Sequence, residues 1–141
     1  TATFDVPYEP GTLKAVNSKG KEEFVLKTAG EPAAIRLIAD RSKIKACKND
    51  LSYVKIELVD KNGNVVPETS LPVKIECMGK GTVIAGGNAA YADMESFRSL
   101  TPNTFRGKAI AIVQPDGEKG DIQVKVSAKG LEDASIVITT Y

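Results

Sequence analysis

The chain has 141 residues, 42% of them hydrophobic and 26% charged, with a formal net charge of +1, a composition typical of globular rather than disordered proteins. The near-neutral charge gives no electrostatic reason to expect nucleic acid or an anionic membrane as partner, and no apolar run approaches the roughly eighteen residues of a membrane span. Because histidine is absent, serine–histidine and cysteine–histidine nucleophilic sites and histidine-based zinc sites are excluded.

The first thirty residues alternate apolar and polar positions in three short stretches, at 4–6, 13–15 and 24–26. Pro10-Gly11 predicts a type II turn between the first two, because proline fixes φ at its position and glycine accepts the positive φ that follows. A second turn is predicted at Ser18-Lys19-Gly20-Lys21. Three such strands are too little chain to bury a core of their own, so we expect them to be part of something larger.

A β-sandwich is predicted for the remainder of the chain. Glu31-Pro32 begins a short linker, since proline keeps the residue before it extended. Beyond the linker, period-2 alternation gives seven to nine short strands, turn signals every ~8–12 residues and no helical stretch, which is typical of an antiparallel sandwich. The predicted division is terminal strands at 1–30, a linker at 31–33 and a sandwich domain at 33–141.

The inward faces of these strands predict one core. The clearest strand runs from Tyr53 to Asp60 and ends in the tight turn 60–64, whose Asn-Gly pair is a strong turn signal. Ile44 and Ala46 are interpreted as a short continuation of the strand before them. Residues with inward parity on strands that face each other are Val54, Ile56, Leu58, Val124, Val126, Ile136 and Ile138.

Two phrases of the sequence carry a family resemblance. Residues 6–15 read Val-Pro-Tyr-Glu-Pro-Gly-Thr-Leu-Lys-Ala, and residues 28–33 read Thr-Ala-Gly-Glu-Pro-Ala. Together they resemble the junction between two C-terminal immunoglobulin-like domains in bacterial family 2 glycoside hydrolases of the β-galactosidase-like group. The resemblance implies an all-β chain: an immunoglobulin-like antiparallel β-sandwich, preceded by a short β-meander remnant of a preceding β-sandwich.

The same resemblance implies a function. The chain is then a non-catalytic accessory domain with a structural or interface role, without a cofactor, and its parent protein is a glycosidase acting on glycans. Its partners are the catalytic and other β-sandwich domains of that parent, with a homodimer through residues 1–30 as a further option. A periplasmic, cell-surface or secreted parent is expected, although the sequence carries no segment from which location can be read.

An alternative comes from a different class of protein. The order of elements and the Asp-x-x-Gly-Asn turn at 60–64 also resemble the bacterial immunoglobulin-like domains of invasin-type proteins. The chain is then an adhesin-like surface module that binds a protein or glycan partner. Tryptophan is absent, and sugars usually stack on aromatic rings, so a dedicated carbohydrate-binding module is disfavoured.

The long irregular stretch 88–106 is the candidate interaction loop, because long loops on rigid scaffolds carry binding. Its candidate residues are Asn88, Tyr91, Glu95 and Phe97. Related glycosidases resemble this stretch in Gly87-Asn88 and in Glu95-Ser96-Phe97. The alternative is a loop whose apolar side chains pack against the sandwich end, namely Tyr91, Met94, Phe97 and Phe105.

Other motifs favour structural readings. Asp60, Asn62 and Asn64 have the spacing that opens a calcium loop, but later positions lack the required glycine and glutamate. Gly79-Lys80-Gly81-Thr82 lacks the spacing of a phosphate-binding loop and no helix follows it. No catalytic or metal-binding residues are therefore predicted.

Two acid pairs and two cysteines remain. Asp93 with Glu95 and Asp116 with Glu118 lie in loops, where acids are usually solvated, so glycosidase chemistry is disfavoured. Cys77 shares the inward parity of its strand, whereas Cys47 has the opposite parity to the apolar residues around it. A disulfide requires a Cβ separation of about 3.8 Å, so we expect two free thiols, although the sequence leaves their oxidation state open.

Overall fold

The computed structural model describes residues 3–17, 19–20 and 22–141. The beginning of the predicted remnant, Thr1 and Ala2, and two residues of its second turn, Ser18 and Lys21, lie outside the described residues. The described part contains ten strands and no helix, so no helix there is long and apolar enough to cross a membrane. The strands are β1 (Thr12–Val16), β2 (Glu23–Lys27), β3 (Ala34–Ala39), β4 (Lys43–Ile44), β5 (Ser52–Val59), β6 (Val73–Gly79), β7 (Gly81–Gly87), β8 (Lys108–Pro115), β9 (Gly120–Ala128) and β10 (Ala134–Thr140).

Two four-stranded sheets form a sandwich, which confirms the predicted all-β architecture. One sheet has the order β3-β5-β8-β7 and the other β4-β10-β9-β6. All strand pairs are antiparallel except β4 with β10. The end at which β3 begins, where the linker enters, also carries the loop from β7 to β8; we call it the linker end.

The core lies between the sheets and follows the predicted parity. Val54, Ile56 and Leu58 on β5 are fully buried, because β5 is a central strand whose inward residues face the second sheet. Of the other predicted core residues, Val124, Val126 and Ile138 are also fully buried, and Ile136 packs half-buried against them.

The interpretation of Ile44 as a continuation of β3 is wrong. Ile44 is buried, but β4 pairs in parallel with β10 in the opposite sheet. The chain changes sheets because Asp40 ends the β3 ladder: its Oδ1 accepts hydrogen bonds from the backbone N–H groups of Arg41 and Tyr53, both at 2.8 Å. An aspartate that captures nearby backbone donors competes with strand pairing.

The remnant forms two strands rather than the predicted three in its described residues. β1 and β2 make an antiparallel ribbon, while residues 3–9 run without strand pairing. Every residue of both strands is exposed. The sandwich of the same chain therefore leaves the apolar side chains of the ribbon uncovered.

The turn between β6 and β7 requires its glycine. Gly79 has φ of +97°, and a Cβ there would lie 2.1 Å from the backbone oxygen of Asp121. The close approach of this turn to β9 excludes any side chain. The glycines of the motif Gly79-Lys80-Gly81-Thr82 are thus explained by the close packing of strands, as predicted.

Both cysteines are free thiols. Cys77 is half-buried at the edge of the core, and burial raises the pKa of its thiol. Cys47 is exposed in the segment after β4. The prediction that Cys77 faces inward and Cys47 does not is confirmed.

Candidate functional site

The candidate loop joins β7 to β8 at the linker end, between Gly87 and Lys108. It holds all four predicted residues, Asn88, Tyr91, Glu95 and Phe97. The structure divides it into two parts with different surroundings. We call residues 89–96 the loop tip and residues 97–104 the edge cover.

Asn88 joins the beginning of the loop to its end. Its Nδ2 donates to the backbone oxygen of Asn103 at 2.9 Å and to Oδ2 of Asp93 at 2.5 Å. Its Oδ1 accepts the backbone N–H of Ala90 at 2.7 Å. The side chain of Asn88 is therefore occupied in shaping the loop.

Glu95 also bonds within the loop. Its Oε2 accepts the backbone N–H of Asn103 at 3.1 Å, and its Oε1 accepts the Asn103 side-chain amide. The backbone N–H of Glu95 donates to Oδ1 of Asp93 at 2.9 Å. Both acids of the first predicted pair thus hold the loop together, although both side chains lie at the surface.

The edge cover closes one side of the sandwich. β6 and β7 are edge strands of the two different sheets. The backbone oxygens of Leu100 and Pro102 accept hydrogen bonds from Ile75 and Val73 on β6, at 2.7 and 3.0 Å, and that of Phe97 accepts one from Gly86 on β7 at 2.7 Å. Unpaired strand edges attract other chains, so this segment protects the fold.

Phe97 lies where the loop tip meets the edge cover. Its ring lies over Gly87, where a Cβ would stand 2.7 Å from a ring carbon. The ring is nevertheless 68% exposed, because it covers one face of the glycine and leaves its own outer face in solvent. Close approach of this ring explains the glycine at the end of β7.

The expectation that the apolar side chains of the loop pack against the sandwich end is wrong for Tyr91 and Met94. Tyr91 is 99% exposed and Met94 is 96% exposed. Phe105 is half-buried, with the Arg106 guanidinium 5.6 Å from its ring centroid. Side-chain hydrogen bonds order the tip, so its apolar residues are not needed to hold it.

The second acid pair lies at the opposite end of the sandwich, in the turn from β8 to β9. Asp116 accepts the backbone N–H of Glu118 at 2.9 Å, and Glu118 pairs with Lys80, which raises the pKa of that lysine. Glycosidase carboxyls stand ~5–10 Å apart, whereas the eight residues of β8 span roughly 25 Å. The two pairs therefore cannot act on one sugar.

The two buried acids are held by structural hydrogen bonds. Glu57 accepts bonds from Arg36 Nε at 2.8 Å and from a second guanidinium nitrogen at 2.6 Å. Asp60 accepts the backbone N–H of Gly30 at 2.9 Å through Oδ2, and those of Asn62 and Asn64, both at 2.9 Å, through Oδ1. The bonds to Asp60 stabilise its ionised form.

The Gly30 bond is the largest of the effects that lower the pKa of Asp60 to about 2. Asp60 thus joins the linker to the turn that follows β5. Across the described ranges, no three cysteine or carboxylate side chains come together in a way that could hold a metal ion. The bonds of the Asp60 carboxylate to Asn62 and Asn64 agree with the turn predicted at 60–64, whereas its bond to Gly30 adds a clasp between the turn and the linker.

A small cavity and an open cleft lie in the described part of the chain. A cavity of about 30 Å³ lies under the loop beside Phe97 and Asn88, which is room for about one water molecule. An open cleft of about 1080 Å³ separates the ribbon from the segment Val65–Thr69. Its walls include the uncovered ribbon strands, so it is the gap left beside an element without a partner.

Comparisons with known proteins identify the sandwich. A family model described as glycoside hydrolase family 2 C-terminal domain 5 matches residues 35–137. Beta-galactosidase BoGH2A of Bacteroides ovatus is 34% identical over 137 residues, which are 95% of this chain and 16% of that protein. The chain therefore spans about a sixth of the length of this curated relative.

Solved structures agree with the family model. A glycosyl hydrolase family 2 member from Bacteroides cellulosilyticus DSM 14838 has a TM-score of 0.90 at 39% identity, covering 96% of this chain and 19% of that chain. The Yersinia pseudotuberculosis adhesin InvE has a TM-score of 0.52 at 21% identity, covering 75% of this chain and 26% of that chain. The likeness to the adhesin shows the fold alone. The predicted resemblance is thus confirmed: the chain belongs to the C-terminal domain 5 family of glycoside hydrolase family 2, a family present in bacterial β-galactosidase-like proteins.

Proposed function

We propose that this chain is a non-catalytic accessory domain of a bacterial glycoside hydrolase of family 2, β-galactosidase-like in activity, with a structural or interface role in that enzyme. We call the longer protein the parent. The observation that carries the proposal is the family match over residues 35–137 in relatives about six times longer. In the parent, catalysis resides in the part outside this chain.

The surroundings of the acids support a non-catalytic role. A glycosidase needs one carboxyl to donate a proton and a second to act as nucleophile or base on the same sugar. Glu57 and Asp60 are both buried. Glu57 accepts hydrogen bonds from Arg36, and Asp60 accepts them from backbone N–H groups. Asp93 and Glu95 hold the loop, at a cavity too small for a sugar ring.

The ribbon supports an interface role. Leu13 lies opposite Leu26, and Ala15 lies opposite Phe24, so these four side chains share one face. The other face carries the ion pair of Lys14 and Glu23. That face also carries Val16 and Val25. One face that is wholly apolar and one that bears charges are typical of an outer sheet of a sandwich, and we infer that the wholly apolar face packs on a β-sandwich that precedes this domain in the parent.

The predicted boundaries fit this arrangement. The ribbon ends at Lys27, Gly30 is bonded to Asp60, and β3 begins at Ala34. Residues 1–30 then belong to the preceding immunoglobulin-like domain, 31–33 form the linker, and 33–141 form this domain. Association of two chains through their ribbons is an alternative use of the same apolar face. A periplasmic, cell-surface or secreted parent stays a prediction.

An activity assay tests the proposal. The purified 141-residue chain and its parent are incubated with aryl β-galactosides under the same conditions. We expect turnover by the parent and none above blank by the chain. Turnover that copurifies with the chain through successive columns would refute the non-catalytic role, and a parent inactive on all aryl glycosides would refute the glycosidase assignment.

A further inference from the structure

The loop tip presents the two most exposed large apolar side chains in the described part of the protein. Tyr91 is 99% exposed and Met94 is 96% exposed, three positions apart on the same short segment. Phe97, at the base of the tip, is 68% exposed. Apolar groups concentrated in this way mark interaction sites more often than scattered ones do.

The tip is braced rather than loose. Asn88 ties its start to Asp93 and to Asn103, and Asn103 in turn is bonded twice by Glu95. The edge cover that follows is fixed to both sheets. A surface held in place before it binds loses less conformational freedom on binding, so the tip is suited to a packed contact.

The tip and the linker lie at the same end of the sandwich. The linker leads into β3 at Ala34, which pairs with Val59, and the loop leaves β7 at Gly87, which pairs with Ile110. β3 and β7 are the two outer strands of one four-stranded sheet, so the two points are separated by roughly 15 Å. A domain of about 100 residues has a radius of gyration of about 13 Å. A domain attached at the linker is therefore wide enough to reach the loop tip.

We propose that the loop tip, through Tyr91, Met94 and the exposed face of Phe97, is a docking surface for the part of the parent that precedes this domain. The proposal rests on the proposed function, since it requires a parent with further domains. The linker tethers that partner, and a short tether gives an effective concentration in the millimolar range. At such an effective concentration, even a small apolar surface is bound by its partner.

The chemistry of the tip favours a protein surface over a sugar. Sugar recognition needs free hydrogen-bonding side chains beside an aromatic ring, but Asn88, Asp93 and Glu95 are bonded within the loop. The large apolar groups exposed at the tip are the aromatic ring of Tyr91 and the thioether of Met94. Aromatic residues and methionine are enriched in protein interfaces.

Methionine oxidation tests the proposal, because the chain contains two methionines. Met78 is 55% exposed on β6, near the end opposite the tip, and serves as the internal control. The 141-residue chain and the parent are treated with dilute hydrogen peroxide, and both sulfoxides are followed by peptide mass spectrometry. The ratio of the Met94 rate to the Met78 rate is measured in each protein.

We expect this ratio to fall about tenfold or more in the parent, because a packed interface excludes water and peroxide. An unchanged ratio would overturn the proposal. A ratio that falls in the chain alone as its concentration rises would assign the tip to a second copy, and one that falls in the parent only when glycan is added would assign it to substrate; either result overturns the proposal.

A variant provides a second measurement. In the parent, Tyr91→Ala should raise the ratio of the Met94 oxidation rate to the Met78 oxidation rate toward its value in the 141-residue chain. The same substitution should leave the melting temperature of the chain unchanged, because Tyr91 is almost fully exposed there. Persistent protection of Met94 in this variant would contradict the role of Tyr91. Activity of the same parent preparation on an aryl β-galactoside separates failure of the docking proposal from failure of the proposed function.

Discussion

Asp60 is the residue that connects the linker to the sandwich. Its carboxylate accepts three backbone N–H groups and the side-chain amide of Asn64. The sequence identified the turn at 60–64 from its Asn-Gly pair. It could not show that Gly30, thirty residues earlier, supplies a donor to the same carboxylate, because that contact depends on how the linker meets the sheet.

The first prediction concerns the pH dependence of this clasp. The pKa of Asp60 is lowered in the fold from its ordinary value of 3.8 to about 2. A lowered carboxyl pKa contributes stability that is full above the unfolded pKa and is lost as the pH falls toward the folded one. Asp60→Asn should therefore lower stability at pH 7 and flatten its decline between about pH 4 and pH 2.

Urea denaturation at a series of pH values measures this effect. Asp116→Asn is the matched control, because Asp116 lies in an exposed turn and accepts one N–H from Glu118. The control should follow the wild-type pH profile. Parallel profiles of Asp60→Asn and wild type through this range would show that the clasp does not stabilise the fold.

The second prediction concerns the core. Ile56 is fully buried on the central strand β5, so Ile56→Ala should lower the free energy of unfolding by about 2–5 kcal/mol. Lys55→Ala on the outward face of the same strand should change it by less than about 0.5 kcal/mol. Equal effects of the two substitutions in urea melts would contradict the assignment of inward and outward faces on β5.

At the scale of the element, strands and loop differ in how far sequence predicts them. β5, β9 and β10 follow from alternation, because each buries one face against the opposite sheet. The edge cover was missed. Its buried residues Pro102 and Thr104 alternate with more exposed neighbours, but proline argues against an ordinary strand, and the two edges it bonds come from different sheets.

The loop tip shows a second limit of sequence reasoning. Apolar residues such as Tyr91 and Met94 normally predict packing, yet the tip is ordered by Asn88, Asp93 and Glu95. Polar side chains that bond within a loop have no periodic signature in sequence. The candidate loop was thus located correctly, whereas its internal contacts required the structure.

The third prediction concerns the ribbon. Removing residues 1–30 should leave a folded sandwich, because the core comes from β3 to β10. If the uncovered face of Leu13, Phe24 and Leu26 joins two chains, the truncated protein should also be more monomeric. Light scattering measures the second effect and thermal melts the first.

A matched variant separates the apolar face from the rest of the ribbon. Phe24→Ser keeps the strand pairing and removes the largest apolar group from that face, so it should weaken any association to a similar degree. Unfolding of the truncated protein would mean that the domain boundary at residue 30 is misplaced. Equal association of truncated and full chains would rule out the ribbon as a dimer surface.

At the scale of the whole molecule, the sandwich has a complete core of its own and still leaves apolar side chains exposed at its surface. Its core is closed within residues 35–138, and its open sheet edges at β6 and β7 are covered by its own loop. The exposed large apolar side chains include those of the ribbon and of the loop tip. The ribbon leads to the linker end and the tip lies at that end. These exposed apolar side chains thus lie at the linker end and on the segment that leads to it.

The most direct test of the central claim, that this domain supports the enzyme without taking part in its chemistry, is the kcat of the parent after removal of residues 31–141. Circular dichroism and light scattering establish that the shortened parent is folded. We expect its kcat on an aryl β-galactoside to stay within about tenfold of the intact parent, with a lower inactivation temperature, since loss of a single catalytic contact typically costs about 100- to 1000-fold. A folded protein whose kcat falls by that larger factor would contradict the account, because it would show that this chain supplies a group to the active site.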